Sequence, residues 1–101
     1  MRFARSQPIL PLRWLMRDVK EMVGLLMRAL DHAEITGAEV LDLGFEADGE
    51  LLAVLNEAYV HLREFVRDRD LRLSDRELDQ KEYEALQDSL NKIVELCDTR
   101  G

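Results

Sequence analysis

Four side chains in this 101-residue sequence stand at intervals that chemistry could use. Glu57, His61, Glu64 and Asp68 follow one another at spacings of four, three and four, which on a helix lines them along one narrow stripe. Three carboxylates around an imidazole form a ligand set for a divalent metal. A metal site in a helical protein also draws ligands from a facing helix, and His32 is the only other histidine in the sequence. Without such a facing set the stripe reads more simply as a solvated acidic flank with His61 at the edge of the apolar face, so the expectation is no metal and no cofactor.

Two further groups have chemical character. Trp14 and Leu25 share a stripe with Asp18, Glu21, Arg28 and His32. An aromatic ring among charged neighbours is the kind of anchor that protein interfaces use, unless residues 1–11 fold back to cover it. Arg2, Arg5, Arg13 and Arg17, with Phe3 and Trp14 available to stack on bases, would suit a nucleic-acid-binding arm. Arginines beside an acidic body are more commonly solvated or paired within the chain, so nucleic acid is not the expected partner. No Gly-rich phosphate loop, Ser-His-Asp set or Cys-His pair can be assembled, and no enzymatic activity is expected.

The bulk properties agree with a binding protein. Hydrophobic residues make up 47 % and charged residues 35 % of the chain, with only 5 Gly and 2 Pro, which argues for a folded helical domain and against disorder. Net charge is −7, unfavourable for general attraction to nucleic acid or anionic lipid. Residues 1–20 nevertheless carry a local +4. The single Cys97 has no internal disulfide partner, and its apolar neighbours suggest packing and an inert thiol. Pro8, Pro11 and Arg13 interrupt the apolar run near the N-terminus, unlike a secretory signal. No apolar stretch approaches the ~20 residues of a membrane span, so the expectation is a cytoplasmic protein.

Helices must position these groups. From about 11 to 35, Leu12, Leu15, Met16, Val19, Met22, Val23, Leu26 and Leu30 recur on one side, with Pro11 suited to the first turn and Gly37 to the stop. A second helix, about 50–69, gathers Leu51, Leu55, Ala58, Tyr59, Leu62, Phe65 and Val66 behind an Asp48 N-cap. A third, about 75–98, starts at a Ser74–Glu77 capping box and carries Tyr83, Leu86, Leu90, Ile93 and Cys97 along a seam. The short 70–74 connection suits antiparallel neighbours.

Residues 36–49 form a longer connection with the apolar residues Val40, Leu41, Leu43 and Phe45, too apolar to be an idle loop. A helical turn over 38–43 stopped by Gly44 is favoured over a strand alternating from Leu41 to Asp48, because a lone strand leaves its backbone groups unpaired.

Together these features predict an all-α fold in one domain spanning 1–101: an antiparallel bundle of three long helices, with residues 1–10 as a basic arm. The apolar faces of the first two helices are broader than the ~100° stripe one core contact requires. A second copy of the chain, or another protein, would cover the excess. Leu15, Met22, Leu26, Tyr59 and Val66 are the expected interface, with Trp14 and Leu25 as a second patch.

Overall fold

The computed structural model describes residues 16–98, and every regular element among them is a helix. In chain order these are α1 (Arg17–Leu30), α2 (Gly37–Leu41), α3 (Gly49–Arg67), α4 (Arg69–Ser74) and α5 (Arg76–Asp98). The all-α expectation holds; the described residues form five helices, where three long ones and a short turn were expected. None of the described helices is long and apolar enough to cross a membrane.

The first helix stops earlier than its apolar pattern suggests. It ends at Leu30, and His32 turns the chain with a positive φ of 64°. The Ala33 amide donates to the Arg28 carbonyl (2.9 Å) and the His32 amide to that of Ala29 (3.1 Å), the paired bonds that close a helix around a left-handed residue. Gly37, the expected stop, instead opens α2. The start signal is Thr36: its hydroxyl accepts the Glu39 amide (3.1 Å), while Glu39 accepts the Thr36 amide (2.9 Å). This reciprocal box stabilises a new helix where the longer one would have continued. The 36–49 connection thus contains a helical turn, as favoured, and no strand.

The remaining boundaries also move. Asp48 does occupy the N-cap position of α3, but its side chain makes no capping bond. Gly49 enters the helix at a φ of +64°, which a residue without a Cβ adopts at little cost. At the far end, Asp68 interrupts the helix and α4 follows, in place of the expected open loop. Ser74 belongs to α4, where its hydroxyl donates to the Leu71 carbonyl (3.2 Å). The α5 cap is Asp75, which accepts the Leu78 amide (3.1 Å). A carboxylate one residue further on satisfies the same orphan donors more strongly than the serine would.

The three long helices all touch one another. Lys92 lies by Glu57, Ser89 by His61 and Tyr83 by Phe65, so α3 and α5 run in opposite directions. The first helix departs from the expected all-antiparallel order. Asp18, at its start, binds the chain at Glu46 and Ala47, just before α3 begins, while its far end at Ala29 and His32 lies near Phe65, Val66 and Tyr83. Hence α1 runs parallel to α3. Its 14 residues span about 21 Å, a distance that the segment joining α1 to α3 retraces.

Val19, Met22 and Leu26 from α1, Leu55 and Leu62 from α3, and Leu86 and Ile93 from α5 are all 0 % exposed. Burying such side chains contributes about 1.5–3 kcal/mol each before entropy is counted. The layer is shut on its loop side by Asp18, 2 % exposed, whose Oδ2 accepts the amides of Glu46 (2.6 Å) and Ala47 (2.9 Å). That buried carboxylate is fully engaged, as burial of a charge demands.

Candidate functional site

The acidic stripe of α3 does not converge on a point. Glu57 is drawn to Lys92 Nζ (3.1 and 3.2 Å), and His61 Nδ1 lies 3.0 Å from the buried hydroxyl of Ser89. Asp68 turns to Arg67, accepting from Nε (2.9 Å) and Nη2 (3.2 Å). Glu57, His61 and Asp68 thus each find a different partner, and no group of three or more His, Cys, Asp or Glu residues among the described residues is arranged to hold a metal. His61 and Ser89 satisfy each other at the helix interface, as buried polar pairs do.

Much of the expected interface also has other work. Met22 and Leu26 have no surface left and Leu25 only 9 %; all three belong to the chain's own core. Tyr59 and Val66 are half-buried against it. Tyr59 meets the Phe45 ring edge-on, with centroids 6.3 Å apart, and lies under Arg63. Trp14, Leu15 and the basic arm lie outside the described residues.

A different apolar surface remains open. Leu41 is 64 %, Val60 49 % and Leu73 81 % exposed. Leu41 and Val60 line a hollow of about 470 Å³ between α2 and α3, with Val40 and Val66 below and Arg63 and Arg67 at its rim. On its other flank, Val66 also lines a second hollow of about 330 Å³ with Ile35, Leu73 and Tyr83. The two form one band with Val66 as the shared saddle. Arg63 lies over the Tyr59 ring and forms no ion pair among the described residues, so a cation stands beside the apolar band of this acidic protein. Leu41 was signalled in the sequence by the apolar content of its connection. Val60 and Leu73 were not, since one falls outside the apolar arc of α3 and the other in what looked like a linker.

Below that band, at the α3–α4–α5 junction, charged groups pack unusually closely. The Arg72 side chain, 11 % exposed, stacks over the Phe65 ring, 3.5 Å from guanidinium carbon to centroid. It donates from Nη2 (2.8 Å) and Nε (3.2 Å) to the Phe65 carbonyl and from Nη1 to Asp79 (3.1 Å). Glu82 Oε1 lies 3.3 Å from Arg72 Nε but receives no hydrogen bond, because that N–H points to the carbonyl.

Burial, then the hydrogen bond to Asp68 and the charge of Asp68, push the Glu82 carboxyl up to about 7. The Arg67 guanidinium and the Glu82 bond lower Asp68 to about 2. When protonated, Glu82 donates to the Asp68 carboxylate, and the two titrate as a pair. Tyr83, packed edge-on against Phe65 and joined through its hydroxyl to His32 Nδ1 (2.8 Å), is raised by burial and by Asp79.

The chain matches no family model, and no curated protein or solved structure is detectably similar to it.

Proposed function

We propose that this chain is a small, non-catalytic helical assembly protein that associates with a second copy of itself or with another protein. The three long helices serve as its scaffold, and the contact is the apolar band from Leu41 and Val60 across Val66 to Leu73. The observation that carries this reading is the exposure of Leu41, Val60 and Leu73 around two adjoining hollows. Clustered apolar surface beside a hollow is what protein contacts bury, whereas scattered apolar residues carry no such meaning. Arg63 at the edge adds the residue type enriched at contact centres. The lone thiol of Cys97, buried in the core, supports a reducing, cytoplasmic setting.

Light scattering behind a sizing column, over a hundredfold range of protein concentration, tests the proposal. The expected result is a dimer that the double substitution Leu41→Asp with Val60→Asp converts to monomer, with helicity and melting temperature retained. A wild-type chain that stays monomeric throughout overturns self-association; a dimer that survives the double substitution moves the contact away from this band.

A further inference from the structure

The helix α4, which forms one wall of the apolar band, buries none of its own residues. Leu71 and Leu73 are 58 % and 81 % exposed, so apolar burial contributes little to holding α4 in place. What holds it is Arg72, inserted between the Phe65 ring and the acids of α5, together with a solvent-screened ion pair from Arg69 to Glu34 (3.4 Å) that adds little. The groups around that arginine are unbalanced in charge. Glu64 and Asp68 come from the end of α3, Asp79 and Glu82 from α5; Arg67 and Arg72 are the cations, and the Tyr83 phenol closes the far side. Four carboxyl groups therefore face two guanidinium groups. Arg72 has spent its Nε hydrogen on a carbonyl, leaving Glu82 Oε1 without a donor.

We propose that one proton, shared between Glu82 and Asp68, fastens the apex of the α3–α5 hairpin, and that its loss loosens α4 and with it the wall of the contact surface. The regulatory meaning rests on the reading of the apolar band as a contact; the latch itself does not. With the proton present, Glu82 donates to an oxygen of Asp68, and the pair carries one negative charge next to Arg67 and Arg72. Without it, two carboxylates meet at low exposure and repel, and the simplest relief is separation of the α3 end from α5. The proton leaves to solvent, and no other bond changes. Opening is favoured as pH rises, because the open form binds the proton less tightly than the closed one.

The test is residue-resolved NMR on the full chain. Carboxyl carbon titration should give Glu82 a midpoint near 7, a measurement that needs no variant. Amide exchange of residues 69–74, corrected for intrinsic chemistry, should rise by about tenfold or more between pH 5.5 and 8.5. In Glu82→Gln, whose amide still donates to Asp68, that rise should vanish. A Glu82 midpoint in the ordinary carboxylate range, or the same pH dependence in the variant, overturns the latch. Loss of the dimer in light scattering is read separately, so failure of the assembly proposal leaves this result standing.

Discussion

The middle of the α3–α5 pair and its apex are built on opposite principles. In the middle, Leu55, Leu62, Leu86 and Ile93 are wholly buried and apolar. At the apex, Arg72, Asp68 and Glu82 are drawn together with little exposed surface, beside a more open Asp79 and an α4 that buries nothing of its own. Apolar burial is non-directional and insensitive to pH, and it tolerates small shifts. A buried charge network is directional, depends on protonation, and loses most when one member is removed. The same hairpin thus has a permanent half and a conditional half.

The contrast can be broken most forcefully in the permanent half. Leu62→Ala should cost about 2–5 kcal/mol, while Leu73→Ala should stay within about 0.5 kcal/mol; urea denaturation of both would measure the gap. Comparable losses would mean that Leu73 is covered. Asp18→Ala, which strands the Glu46 and Ala47 amides, should cost about 2–3 kcal/mol by the same measurement.

In the conditional half, pH replaces mutation as the lever. Because the Glu82 carboxyl is held high, its stabilising proton is fully present below about 4.5 and is lost as pH rises through about 7. Asp68, held low, contributes stability above its ordinary value near 3.8 that is lost as pH falls toward 2. The wild type should therefore be most stable between these windows, near pH 4–5. Glu82→Gln should gain about 1–2 kcal/mol relative to wild type between pH 5 and 8, read from urea midpoints at both values. The smallest effect concerns the turn after α1. His32→Gly should leave stability nearly unchanged, since relief of the positive φ offsets the lost Tyr83 bond, whereas His32→Ala should be about 1 kcal/mol less stable than the glycine variant.

The permanent half was legible in the sequence and the conditional half was not. Periodicity alone places Leu55, Leu62, Leu86 and Ile93 inward, because burial depends on which side of a helix a residue faces; it does not say whose core is filled, and Met22 and Leu26, expected at an interface, are buried in the chain's own. Boundaries are less legible, since several residues compete for each one. Ser74 and Asp75 both suit a cap, and Thr36–Glu39 outcompeted the stop expected at Gly37. The direction of α1 could not be read either, because a connection of that length permits both senses. Glu57, His61, Glu64 and Asp68 follow at helical spacing, but Lys92, Ser89 and Glu82, which engage Glu57, His61 and Asp68, lie on another helix at distances along the chain that spacing does not encode. Of the apolar band, the sequence signals Val66 through helical periodicity and Leu41 through the apolar content of its connection, while Val60 and Leu73 carry no such signal because each stands among polar neighbours on its helix surface.

The parallel course of α1 also has a consequence in time. Within the hairpin, Arg72 and Asp79 are seven residues apart along the chain, whereas His32 and Tyr83 are separated by 51. Closing the longer loop costs about 2 kcal/mol more in chain entropy, and contacts so far apart form slowly. The α3–α5 hairpin can therefore assemble on its own schedule, while α1 must wait for a surface that does not yet exist. During synthesis the delay is built in: α1 leaves the ribosome before either helix it packs against. Its apolar side, Val19, Met22 and Leu26, stays uncovered until α5 follows.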